Sequence, residues 1–246
     1  MATQNVIGAT LLTLGLLLLP APAAACGCAG TPTTPAAVRA SDLVFLGTVA
    51  AVEYSPTPFH TNPDGSVTGP AAGPSTTARF TVVRTFHGIA SPAVAIRSAG
   101  TTCDFLFKRG ETWLIYAQVR EGVTTTHKCA RTRLQAEAAQ DLKYLEGLQR
   151  GEKLGIVAGV VLRKTTTAGE TVLKAIDDPL QIVAVVDGQR VVTSPDRWGP
   201  YQIVLPPGEA QLFVERDGVS VSPSISVRIT EGGVVSLQLI AAYEKH

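Results

Sequence analysis

The sequence predicts a mainly β protein built as two β-rich units in series, and three observations carry this. Stretches rich in Val, Ile, Thr and aromatic residues recur through residues 42–127, divided by Gly and Pro turns. Residues 134–151 then change pattern, with Leu134, Ala138, Leu142, Leu145 and Leu148 at i, i+3 or i+4 spacing and Gly151 after the last turn, as in an amphipathic helix. Beyond it seven short apolar stretches between residues 155 and 243 follow one another at intervals of roughly ten residues, the pattern of a β-sandwich. The boundaries read from these changes are a leader at 1–25, a first domain at 26–150 and a second at 151–246.

Taken in order, residues 6–20 form an uncharged apolar run followed by "APAAA", whose Ala23 and Ala25 are the small residues that a signal peptidase needs. Cleavage then falls before Cys26, and the chain is expected to be secreted or held in the cell envelope. Retention of the run as a membrane anchor and lipid attachment at Cys26 are the alternatives. "MATQN" supplies none of the basic residues usual ahead of such a run. After the cysteines, "TPTTPAAVRA" predicts a turn and a short helix, and 42–53 a long apolar strand. Residues 54–75 hold five prolines and an Asn-Pro-Asp-Gly turn and are expected to be a long loop. Strands are expected next at 76–88, 93–99, 112–119 and 122–127.

Composition narrows the partners. The 246 residues are 45% hydrophobic and 17% charged, with a formal net charge of +1. That length suffices for one or two domains with a real core. Scattered charge and few aromatic residues exclude the basic clusters and stacking platforms that nucleic acid selects, and a membrane becomes a partner only through a lipid on Cys26.

Export also decides how the four cysteines read. In an oxidising compartment they imply up to two disulfides, where a cytosolic chain would raise zinc. A bridge from Cys26 to Cys28 across one glycine is badly strained, so the N-terminal pair is expected to reach Cys103 and Cys129, one each. Each bridge closes a loop of about 75 to 100 residues, worth roughly 4 to 5 kcal/mol on the chain-entropy account.

Together "CGC", "ASDLVFLGTV", "TTCDFLFKRGETWLIYA" and "HKCARTRLQAEAAQDLKYL" resemble the netrin-like module of the tissue inhibitors of metalloproteinases and its bacterial relatives, over residues 26–148. The resemblance implies an OB-fold-like five-stranded barrel with packed helices. It also implies the pairings Cys26 with Cys103 and Cys28 with Cys129. Residues of the second half, with "GIVAGVVL", the Gly199, Tyr201, Leu205, Pro206, Pro207, Gly208 run and the closing "ITEGGVVSLQL", resemble the carboxypeptidase regulatory-like domain. A seven-stranded transthyretin-like sandwich of accessory role is what that implies.

In the animal inhibitors the first cysteine's free amine and carbonyl chelate the zinc of the target protease, and the next residue enters its specificity pocket. Carried over, Cys26, Gly27 and Cys28 would touch the protease, and Cys26 would meet a metal only as the partner's zinc. Gly27 offers no side chain to that pocket. The bridges are equally explained as staples that stabilise an exported domain.

Other candidates carry less. His60, His87 and His127 lack metal-ligand spacing. Asp177 and Asp178 precede Pro179 as a turn, and Arg131 and Arg133 are expected at a solvated or salt-bridged edge. Trp113 and Tyr116, on opposite parities of one strand, are expected in the barrel core and at the surface. Nucleophile, zinc-protease and phosphate-loop motifs are missing from the sequence. The reading is therefore a non-enzymatic binding or structural module of the envelope or exterior, needing no cofactor, whose partner is another envelope protein. The alternative is a metalloprotease inhibitor acting through Cys26 on an extracellular enzyme.

Overall fold

The computed structural model describes residues 27–28, 30–55, 60–61, 67–68, 75–167, 170–176, 178–196 and 199–243. The expected leader, Cys26, the Asn62 to Gly65 turn, Asp177 and His246 lie outside the described residues. The protein is mainly β, a barrel-like sheet followed by two further sheets.

The chain enters through helix α1 (Thr34–Arg39), where Pro35 suits the first turn because its missing N–H has no helical acceptor there. Strands β1 (Leu43–Ser55), β2 (His60–Thr61), β3 (Val67–Thr68), β4 (Ser75–His87), β5 (Ala93–Ser98), β6 (Thr112–Arg120), β7 (Val123–Thr125) and β8 (Arg133–Leu134) follow. The main sheet has the order β5-β4-β1-β6-β7, with β8 added beside β6, and β2 pairs separately with β3. Leaving aside the separate β2–β3 pair, the third, second, first, fourth and fifth strands thus lie side by side, an OB-like order. β5 comes up against β7 to leave the barrel nearly closed. Register shifts in the β1–β4 ladder after Val44, Leu46 and Val49 coil the two long strands around the barrel.

β1 and β6 are buried on both faces, which is why their sequences read as continuous apolar runs rather than alternating ones. Their inward residues include Phe45, Val49, Trp113 and Ile115. There Phe45, Phe80, Phe107, Phe105 and Trp113 form a chain of mostly edge-to-face rings with centroids 5.0–5.9 Å apart. The outward residues Val44, Leu46, Leu114 and Tyr116 pack beneath the helices with Ala37, Ala138 and Leu145. Tyr116 is 1% exposed. The expectation that it lay at the surface fails because helix α2 (Ala139–Gln149) roofs that face of the barrel.

Helix α2 begins later than the 134–151 pattern predicted. Leu134 is drawn into β8 opposite Trp113, and a 3-10 turn (Gln135–Glu137) intervenes. The buried side of α2 carries Asp141, Tyr144, Leu145 and Gly147, while Leu148 is exposed. Part of the expected loop at 54–75 is strand, since β1 runs to Ser55, β4 starts at Ser75 and the short β2–β3 pair lies between.

The second unit holds β9 (Gly155–Thr167), β10 (Glu170–Ala175), β11 (Gln181–Val186), β12 (Gln189–Thr193), β13 (Pro200–Leu205), β14 (Gly208–Arg216), β15 (Val219–Ser220), β16 (Ile225–Ile229), β17 (Val234–Ser236) and β18 (Leu239–Ala242). The seven expected strands are ten segments among the described residues. β10 and β15 are additional, and the final strand is split. One sheet is built on β9, antiparallel to β13 and β10 and parallel to β17 and β18; the other has β12-β11-β14 with β15 and β16 beside β14. Ile182, Ile203, Leu205, Leu212, Val214 and Leu239 fill the space between them.

The split in the last strand has a local cause. Leu237 breaks the run opposite Gly159, and its carbonyl sits where a side chain on Gly159 would project. Tyr201, paired with Gly159 across β13–β9, covers the bare backbone and donates its hydroxyl to the Leu237 carbonyl at 2.8 Å. A glycine is required there by this close approach.

Candidate functional site

The two units meet along α2 and β13. Tyr144, Leu154, Ile156 and Val204 form a small apolar cluster at the contact. Beside it, Val204 donates its N–H to Gln140 Oε1 at 2.9 Å and accepts from Lys143 Nζ at 2.7 Å on its carbonyl. Two side chains of α2 thus occupy backbone groups of β13 that a neighbouring strand would otherwise take. Burial lowers the pKa of Lys143, with Glu152 opposing the shift.

The centre of the junction is polar. Asp141, 1% exposed, accepts from Thr34 Oγ1 at 3.0 Å and from Tyr116 OH at 2.8 Å, and it takes a two-pronged contact from Arg131. Arg131 sends its third prong to the Pro32 carbonyl at 2.6 Å. Thr34 carries the network into the second unit, donating its backbone N–H to Gln202 Oε1 at 2.9 Å while its hydroxyl accepts from Gln202 Nε2 at 2.6 Å. Each donor and acceptor named here is spent on another, which is the condition for a buried charged network to hold one arrangement. Of the expected solvated or salt-bridged edge, Arg131 is salt-bridged, to Asp141, but buried rather than at an edge.

Arg133 is held differently. Its side chain is 13% exposed, and its nearest carboxylates are Asp196 at 3.4 Å and Asp141 at 3.9 Å. It lines a cleft of about 420 Å³ between the start of α2 and residues 192–196 of the sandwich. A second cleft of about 220 Å³ shares Arg131, Asp196 and Gln202 with the first and reaches Thr31, Tyr201 and Ser236.

The cysteines tie the N-terminal segment to the same place. Cys28 is bridged to Cys129 with Cα atoms 5.3 Å apart, as the family resemblance implied. Cys103 is disulfide-bonded too. Gly27 and Cys28 are exposed, and a Cβ on Gly27 would meet open space. From Cys28 the chain passes over Arg131 at Pro32 and enters the network at Thr34. The staple and the junction are thus parts of one construction.

Of the remaining candidates, His127 adjoins the staple and the others are placed apart from it. His127 Nδ1 accepts from the Cys129 N–H at 3.2 Å, and His87 is exposed at the end of β4. Among the described residues no group of three or more His, Cys, Asp or Glu is arranged to hold a metal ion, and no helix is long and apolar enough to cross a membrane. Asp178 is engaged by Arg163 at 3.3 Å and by Tyr243 OH at 2.7 Å.

Sequence reasoning missed Thr34, Asp141 and Gln202. Asp141 left a signal, since it lies three residues after Ala138 and four before Leu145, an acid on the apolar stripe of a helix. Thr34 and Gln202 left none, because neither breaks a local pattern.

Burial raises the pKa of Tyr116 well above its ordinary value, with the Asp141 carboxylate adding to the shift, and burial alone raises that of Tyr201. Tyr243 is pushed up to about 12 by burial and then by Asp178. An unfolded tyrosine loses its proton near pH 10. Above that pH the unfolded chain binds fewer protons than the folded one, so stability falls as pH rises. The expected slope is about 1.4 kcal/mol per pH unit for each of Tyr116 and Tyr201. Urea midpoints between pH about 8 and about 11 check this. Tyr201→Phe is expected to flatten the decline, and an unchanged slope in that variant would contradict the assignment.

No protein-family model matches the chain, and none of the curated proteins does. Among solved structures, a fimbrial protein from Bacteroides ovatus is similar at 8% identity and a TM-score of 0.22, over 84% of this chain. The chain spans 46% of that protein's length.

Proposed function

We propose that the protein is an exported, non-catalytic module of the cell envelope or exterior, in which a netrin-like barrel and a carboxypeptidase regulatory-like sandwich act as one binding or structural unit. The observation that carries the reading is the Thr34, Asp141, Arg131, Gln202 network. It spends buried polar groups from both units on fixing their contact, which suits a rigid presenting surface. The staple at Cys28 and Cys129 supports an oxidising location, because such bridges persist outside the cytosol.

A second reading, inhibition of an extracellular metalloprotease through the Cys26 amine, draws support from one feature. Cys28 is fixed to Cys129 yet exposed, so the residues before it emerge from an anchored point. Against strong inhibition stands Gly27, which gives a specificity pocket nothing to hold.

Both readings meet the same experiment, which is intact and peptide mass spectrometry of protein from fractions of its exporting host, without reduction. The expected result is an extracytoplasmic chain beginning at Cys26, with Cys26 joined to Cys103 and Cys28 to Cys129. A cytoplasmic chain with reduced thiols would overturn the module reading. A diacylglyceryl mass on Cys26 would leave that reading standing and remove the amine that inhibition needs. An unmodified Cys26 terminus with no effect on zinc proteases would likewise end the second reading alone.

A further inference from the structure

We propose that the larger junction cleft binds a neutral polyhydroxylated ligand, a mono- or disaccharide; the proposal rests on the binding reading above and names its ligand class. The cleft's volume, about 420 Å³, lies in the range of small-ligand sites, and domain junctions are where such sites gather.

The lining sets the chemistry. Arg133 approaches Asp196 at 3.4–3.5 Å, longer than a well-made charged hydrogen bond of about 2.7–2.9 Å. Both groups therefore retain unused bonding capacity toward the cleft. Gln140 has its Oε1 fixed by the Val204 N–H, which leaves the Nε2 hydrogens as donors. Glu137 is exposed on the same wall and is an acceptor only.

Donors and acceptors of opposite charge thus line one space. An anion placed there meets Glu137, Asp196 and the Arg131-paired Asp141, and a cation meets Arg131 and Arg133, so either is opposed by part of the wall. A hydroxyl group donates once and accepts twice. It can accept from Arg133 or Gln140 while donating to Asp196 or Glu137, and a sugar ring carries several hydroxyls at fixed spacing. Insertion between Arg133 and Asp196 would replace one long contact by two of ordinary length. The floor, Asp141 and Gln202, is already committed and gives the site a fixed base.

Titration of the full mature protein with maltose, cellobiose and chitobiose, followed by NMR of the Arg133 Nε–H and Gln140 side-chain amide, tests this. Saturable shifts at both groups are expected with at least one sugar, and Arg133→Ala should weaken that binding at least tenfold. Because Arg133 also faces Asp141, Glu137→Ala is the second variant. Glu137 is exposed, and its loss should weaken binding several-fold without moving the unfolding midpoint. The proposal is overturned if none of the three sugars shifts these groups, or if glutarate or putrescine, as charged probes, occupy the cleft more tightly than any sugar. Either failure leaves the disulfide map and location of the protein as they were, so it is separable from failure of the module reading.

Discussion

Replacing Asp141 by alanine is expected to cost the protein about 3–5 kcal/mol, the usual consequence of stripping one partner from a buried ion pair. The loss has an identifiable origin. Arg131, 5% exposed, would keep its charge in a place without a counter-charge, and Tyr116 OH and Thr34 Oγ1 would each lose an acceptor. A urea titration of the full chain measures it. Asp141→Leu combined with Arg131→Met should recover a large part of the loss, since a buried pair exchanged for apolar groups of similar size is often neutral or stabilising. A single-variant loss under about 1 kcal/mol would place the pair in an effectively solvated environment and contradict its burial.

Opening the staple is expected to have a comparable effect by a different route. Cys28 and Cys129 are 101 residues apart, and the chain-entropy relation assigns a loop of that length about 4.7 kcal/mol at 25 °C. Cys28→Ser with Cys129→Ser should lower stability by an amount of that order. Amide exchange at Thr34 should rise with it, because the segment that carries Thr34 to Gln202 then loses its upstream anchor. Exchange at Phe45 and Ile115, deep in the barrel, should change only by the global loss. Equal changes at Thr34 and Ile115 would mean that the staple acts on the unfolded chain alone.

The long strands were legible because their residues are chosen by burial. The run at 42–53 is β1 (Leu43–Ser55) and that at 76–88 is β4 (Ser75–His87), each displaced by one or two residues. β10 escaped notice because Thr171, Val172, Leu173 and Lys174 are all exposed, so no face imposes a pattern. Tyr116 was misplaced by correct reasoning about parity and an incorrect assumption that only one face of a barrel strand is covered. The junction could not be read at all from spacing. Its bonds join Thr34 to Asp141 across 107 residues and to Gln202 across 168, distances at which sequence patterns carry no information about contact.

That last separation also bears on the order in which the molecule is made. Thr34 emerges early in synthesis and its barrel can form around the aromatic chain of Phe45, Phe80 and Trp113, but Gln202 arrives only when about half of the second unit has been produced. Closing so long a loop is entropically slow, and contacts of this kind lower folding rates. The junction is thus expected to form after the barrel, and until then the Thr34 N–H and Oγ1 must bond water in place of Gln202. Refolding should accordingly show a barrel phase followed by a slower docking phase, with Gln202→Ala altering the second while sparing the first.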